Sequence, residues 1–172
     1  MKLKVGLLGG GSWGTTVASL TAKNSPTTIW ARNIETVEEI NNFHTNQKYL
    51  PNAKLTQSLK ASNSIEETVK DADVIVMGVP AQSFRKVLKE AKPHIRPWIP
   101  IINLAKGLEL STKMRMTEIV EEVLPGHPAG VLTGPNLAKE IHFGNAAAAV
   151  IAMFDKSIAT KLQNVFSSCL FR

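Results

Sequence analysis

Cysteine is almost absent from this chain. One residue in 172, Cys169, leaves an internal disulfide impossible and excludes any cysteine-cluster metal site. His44, His94, His127 and His142 show no ligand spacing such as H-x-x-x-H, so no structural metal is expected. Cys169 stands in the apolar segment Phe166 to Phe171 and is expected to be a small core residue rather than a reactive thiol. Long apolar runs are missing too. None approaches the ~20 residues needed to span a bilayer, and the N-terminus lacks the apolar core and cleavage site of a secretory signal. No stable membrane insertion is expected, and the cytoplasm is the expected compartment. Aromatic residues are only 6% of the chain, and few of them interleave with the lysines and arginines. A nucleic-acid partner is therefore not expected, although the formal net charge is +6. A phosphorylated small molecule accounts for that charge at least as well. Repeats, low-complexity tracts and linkers are also lacking, and 44% hydrophobic content suffices for one sizeable core, so residues 1–172 are read as a single domain.

What the chain does have is a glycine pattern. Gly9, Gly11 and Gly14 stand at G-x-G-x-x-G spacing between the apolar stretch Lys2 to Leu8, read as a strand, and Ser12 to Lys23, read as an amphipathic helix with Trp13, Val17 and Leu20 near one face. Gly9 permits the tight turn out of the strand. Gly11 lacks a side chain that would block a pyrophosphate, and Gly14 lets the helix pack closely on the sheet. The helix N-terminus supplies unpaired amides and a partial positive charge, so this turn is a candidate dinucleotide site.

Further strand-like runs recur at Thr27–Trp30, Val74–Val79, Ile99–Leu104, Ala129–Leu132 and Ala146–Met153. Helix-like stretches lie between them at Ile34–Asn42, Ile65–Lys70, Gln82–Ala91 and Lys113–Val123. Strands that read as buried on both faces and alternate with helices predict an α/β fold: a Rossmann-like, doubly wound, mainly parallel sheet with helices on both faces. Asn63 or Ser64 is expected to cap the helix bearing Glu66 and Glu67, and Asp155 the one running towards Val165. The end of the chain, Phe166 to Arg172, reads as a helix end turning into another strand; the expectation is a piece of a longer protein, with a short edge strand as the alternative.

About 20 residues beyond the glycine turn, the end of the second strand meets the adenosine ribose in such folds, and an acid there selects NAD. Here Arg32 stands eighteen residues after Gly14. Its guanidinium can pair with a 2′-phosphate or stack on adenine, so NADP should be accepted, while Glu35 keeps NAD possible. The cofactor is thus NAD or NADP. A solvated arginine leading into a helix is the plainer reading of Arg32.

Six segments in order, Gly9 to Thr15, Trp30 to Arg32, Asn46 to Pro51, Val79 to Gln82, Asn103 to Glu109 and Thr133 to Glu140, resemble the bacterial-type NAD(P)-dependent glycerol-3-phosphate dehydrogenases. The resemblance spans nearly the whole chain but covers only that family's cofactor domain, with a helical second domain expected after Arg172 and a homodimer possible in the full-length protein. It implies reversible hydride transfer between a nicotinamide and dihydroxyacetone phosphate, giving sn-glycerol 3-phosphate for phospholipid synthesis. By the same resemblance Ser12 and Trp13 lie beside the pyrophosphate, although Trp13 could equally be a core aromatic. Tyr49 and Asn46 belong to a loop over the cofactor, or Tyr49 is a packing anchor. Pro80 flanks the nicotinamide half, or is a helix N1 proline. Lys106 touches cofactor and substrate and balances charge on the ketone oxygen. Gly134 and Asn136 become substrate contacts and Ala138 a cofactor contact, with Asn136 also expected to cap the helix through Glu140. Where this chain has Asn136 the family often carries serine or threonine. The proton-transferring lysine and the phosphate-binding arginine belong to the second domain, so these 172 residues are expected to bind cofactor but turn over poorly. The cofactor domain of another β-hydroxyacid or ketopantoate-type reductase and a non-catalytic dinucleotide-binding module are the alternatives.

Overall fold

In the computed structural model, which describes residues 2–172, seven strands form one sheet: β1 (Val5–Leu8), β2 (Thr27–Trp30), β3 (Lys60–Ser62), β4 (Val74–Met77), β5 (Ile101–Asn103), β6 (Ala129–Thr133) and β7 (Val150–Met153). Their spatial order is β3-β2-β1-β4-β5-β6-β7, all neighbours being parallel except β6 and β7. Seven helices connect them: α1 (Ser12–Asn24), α2 (Ile34–Phe43), α3 (Ile65–Val69), α4 (Ala81–Ala91), α5 (Met116–Val123), α6 (Ala138–His142) and α7 (Lys156–Phe166). The direction in which strands are added reverses between β1 and β4. That switch point is where open α/β sheets bind ligands.

Strand side chains alternate between the faces, and the core splits accordingly. Leu7, Val74, Val76 and Ile102 pack with Val17 of α1, Val37 and Ile40 of α2 and Leu162 of α7. Leu8, Ile75, Met77 and Ile101 pack with Val69 of α3, Phe84 and Leu88 of α4 and Ile119 of α5. The doubly wound, mainly parallel sheet with helices on both faces is therefore the fold observed.

Several expectations needed correction. The stretch Ala146 to Met153 forms a strand only at Val150–Met153, and that strand is antiparallel and half-exposed rather than a buried parallel one. The strand at Lys60–Ser62 was not anticipated, because three residues, two of them polar, carry no apolar signal. α5 begins at Met116 rather than Lys113, whose φ of 62° is left-handed and cannot open a right-handed helix. α1 is not amphipathic: Gly14 to Ala22 are all buried. Its solvent side is covered by Thr56 and Ser58, which bond Ser19 and the Ala22 carbonyl, and by the end of α7, where Asn24 donates to Val165 and Ser167 carbonyls. Ser64, not Asn63, caps α3, and Asp155 caps α7 through the Ser157 and Ile158 amides.

Cys169 is exposed, contrary to the core position expected of it. The Ser168 amide donates to the Phe171 carbonyl, and this turn throws Cys169 outward while Phe171, 3% exposed, takes the core place. Phe171 bridges Ala147 in parallel, in keeping with the strand-like reading of this segment.

Candidate functional site at the sheet switch point

Four turns at strand carboxyl ends build one cleft of about 610 Å³: Gly9 to Trp13 after β1, Ala31 to Asn33 after β2, Gly78 to Pro80 after β4, and Leu104 with Ala105 after β5, with Lys48 and Tyr49 on its rim. Its floor is a close packing of glycines. Gly9 has φ +130°, and a Cβ there would stand 2.5 Å from the Gly78 carbonyl carbon; one on Gly14 would stand 2.0 Å from the Gly9 carbonyl oxygen. Those two glycines are demanded by the chain itself. Gly11 is different. Its backbone is extended, with φ −75° and ψ 178°, and an added Cβ would meet nothing within 4 Å. No neighbour in the chain requires glycine there, so the missing side chain matters to whatever lies in the cleft.

Charge points the same way. Gly11 is the N-cap of α1, has no side chain to bond the first amides, and no acid occupies the first turn. The helix end therefore presents free donors and positive potential to the cleft. Arg32 and Lys48 line the wall, and among the described residues no carboxylate does. Glu35 is not part of the lining: its amide is bonded by Asn33, whose side chain also donates to its carboxylate. The donor set fits the anionic bridge of a dinucleotide.

The loop between α2 and β3 braces the glycine turn from behind. Asn46, fully buried, donates from Nδ2 to the Gly10 carbonyl at 3.0 Å and to Thr15 Oγ1 at 2.8 Å. Ser12 Oγ donates to the Tyr49 carbonyl at 2.6 Å, so this hydroxyl at the start of α1 is engaged in holding the loop. Tyr49 is 40% exposed on the cleft rim, which a packing anchor would not be. Pro80 is the N-cap of α4 and lines the cleft, one position before the N1 place that a proline commonly takes.

A second cavity of about 260 Å³ adjoins the first and shares Trp13 and Leu104 with it. Its other walls are Lys106, Leu132, Thr133, Gly134 and Asn136. Trp13 is half-buried against Phe171, with ring centroids 6.4 Å apart, and lines both cavities. Lys106 is exposed, and its Nζ approaches the Gly134 carbonyl at 3.4 Å. Asn136 does not cap α6, whose N-cap is Leu137 with no side-chain bond. Both polar atoms of its amide are buried without a partner, and one unpaired buried group costs about 1–3 kcal/mol. Ala138 stands apart from both cavities; its carbonyl accepts from Thr16 Oγ1 on α1 at 3.3 Å. Sequence reading overlooked Gly78, Lys48 and the anchoring part played by Asn46. A glycine directly after a buried strand was the one available signal for Gly78.

Comparison with known proteins decides the family. The sequence model described as NAD-dependent glycerol-3-phosphate dehydrogenase N-terminus matches residues 4–159. The chain belongs to that family. A glycerol-3-phosphate dehydrogenase [NAD(P)+] 2 of Sphingopyxis alaskensis is 59% identical over the whole chain, and a glycerol-3-phosphate dehydrogenase [NAD(P)+] of Mycobacterium avium is 54% identical over 98% of it. These matches take up 52% and 50% of the two relatives, so the chain spans about half the length of the dehydrogenases it resembles. Among solved structures, the Coxiella burnetii glycerol-3-phosphate dehydrogenase superposes with a TM-score of 0.91 at 28% identity, over 99% of this chain and 53% of that one. Among the described residues, no helix is long and apolar enough to cross a membrane.

Proposed function

We propose that the chain is the dinucleotide-holding half of a cytoplasmic NAD(P)-dependent oxidoreductase that interconverts glycerol 3-phosphate and dihydroxyacetone phosphate. The observation that carries this reading is the shared wall: a cationic cleft at the switch point and a smaller, largely apolar cavity with Lys106 on its wall meet at Trp13 and Leu104. A nicotinamide bound there supplies or accepts the hydride at the substrate's second carbon. The free amides of α1 would hold the pyrophosphate, Arg32 and Lys48 would take the adenosine end, and Tyr49 and Pro80 would flank the cofactor. The Lys106 ammonium would orient the ketone and balance negative charge on its oxygen. The unpaired amide of Asn136 and the Gly134 backbone bond the substrate's hydroxyl or phosphate oxygens.

Lys106 is the single titratable side chain lining the small cavity among the described residues. It cannot both remain charged opposite the oxygen and deliver the proton. The 172 residues alone should therefore bind cofactor but turn over dihydroxyacetone phosphate poorly, and the remainder of a protein of the relatives' length would supply the proton donor. A homodimer belongs to that full-length protein in this reading.

Titration with NADH and NADPH by nicotinamide fluorescence, beside an Arg32→Ala variant, tests the proposal. Losing a charge-assisted bond of about 1.5–3 kcal/mol should weaken NADPH roughly 10- to 100-fold and leave NADH within about threefold. Failure of both nucleotides to bind, or normal turnover by the 172 residues, would overturn it.

A further inference from the structure

Lys106 is placed by its neighbours rather than by its own packing. It is exposed, the next residue is Gly107 at φ +98° with nothing within 4 Å of an added Cβ, and its one bond is the long approach to Gly134. The loop around it is nevertheless pinned at three points. At its start the Asn103 side chain closes on Ala105, accepting from the amide at 2.8 Å and donating to the carbonyl at 2.9 Å. Two residues past Lys106, Gln82 grips the main chain, donating from Nε2 to the Leu108 carbonyl at 2.9 Å and accepting at Oε1 from the Leu110 amide at 3.0 Å. Between those two residues Glu109, 7% exposed, receives the fork of Arg85: Nε to Oε1 at 2.9 Å and Nη2 to Oε2 at 2.9 Å. Thr112 Oγ1 adds a bond at 2.5 Å, and Arg85 Nη1 reaches Glu122 of α5 at 2.6 Å.

Gln82 and Arg85 lie on the first turns of α4, the helix whose N-cap Pro80 and first-turn Ser83 line the dinucleotide cleft. One short rigid element therefore touches the cofactor wall at its tip and grips the lysine loop along its side. Two amide bonds and a bidentate ion pair to a buried carboxylate are more than an exposed turn needs to stay folded, since Gln82 itself is a surface residue.

We propose that Gln82 and Arg85 are positioning residues that lock the Lys106 loop to α4, so that the substrate lysine keeps a fixed distance from the cofactor. This rests on the reading that Lys106 faces the substrate. The fork demands arginine, because a lysine at position 85 would keep the charge but could bond only one carboxylate oxygen at a time.

The test uses Gln82→Ala, Arg85→Lys and, in parallel, Lys106→Met in the full-length protein. Gln82→Ala removes the grip from an exposed position and puts in a good helix former, so the fold should survive it. Expected for both α4 variants is a kcat lowered on the order of 10- to 100-fold, the scale of a displacement of about 1 Å. NADH affinity should stay within about twofold and thermal stability within a few degrees, and amide hydrogen exchange at Leu110 should speed up. A purely structural role would instead lower stability and cofactor affinity with kcat intact, and that outcome would overturn the proposal. If Lys106→Met cripples turnover while both α4 variants keep wild-type kcat, the positioning claim fails and the reading of Lys106 stands. If Lys106→Met changes neither kcat nor KM, both fail together.

Discussion

Gly11 and Gly14 look alike in the motif but answer to different demands. Gly14 is required by the chain, since a Cβ would stand 2.0 Å from a main-chain oxygen that cannot rotate away. Gly14→Ala should cost about 3 kcal/mol, the upper end of overpacking, and lower the melting temperature by several degrees. Gly11 is under no such demand, and in the proposed function it serves the cleft. Gly11→Ala should keep stability within about 1 kcal/mol while weakening both NADH and NADPH about tenfold or more, as read by thermal melts beside fluorescence titration. Equal loss of stability in the two variants would show that Gly11 serves the fold instead. Spacing alone identified both glycines, but only the space around each separates their purposes. Asn136 teaches the converse: its position suggested a cap, and the structure instead leaves both polar atoms of its amide buried without a partner.

Among the elements, those with a local chemical signature were readable and those without one were not. α3 is five residues long, too short to hold by propensity, and depends on Ser64, whose Oγ accepts from the Glu67 amide and whose carbonyl accepts from Thr68 Oγ1. Ser64→Ala should cost about 1 kcal/mol, a fall of roughly 2–4 °C in melting temperature, and Ser64→Asp should recover most of it. β3 and β7 were respectively missed and misjudged. β3 exists because Lys60 to Ser62 lie beside β2, and β7 runs antiparallel because its chain returns along β6. Neither fact is a property of the residues in the strand.

Across the whole molecule, acid should unfold the domain in a definite order. Burial pushes the His142 imidazole below its ordinary 6.5, so the unfolded chain takes up that proton first and stability begins to fall as pH drops through the middle sixes. The carboxyls of Glu109, Glu118, Glu122 and Asp155 are held below their usual range by bonds from Arg85 and Thr112, from Arg115, from Arg85, and from Ser157 respectively. Their contribution is present above the unfolded value of about 4.5 for the glutamates, and is lost as pH falls through the lower folded values. Urea midpoints should be level from pH 7 to 9, decline slightly near pH 6 and decline further below about 4.5. His142→Gln should remove the first step alone. A midpoint that rises on acidification would contradict this assignment of signs.

By itself the sequence determined the alternation of strand and helix, the glycine turn and the family, because each rests on local order: apolar runs of strand length, capping residues and motifs in fixed succession. It also singled out Arg32 and Lys106 as residues standing just past strand ends. Tertiary structure alone decided that the strands run in the order β3-β2-β1-β4-β5-β6-β7, which places turns 70 and more residues apart around one cleft. It alone set Gln82 and Arg85 against the Lys106 loop across 26 and 24 positions of chain. The reason is range: a helix or a turn is held by bonds to near neighbours, whereas a site at a switch point is held by which distant strands the hydrophobic faces bring side by side.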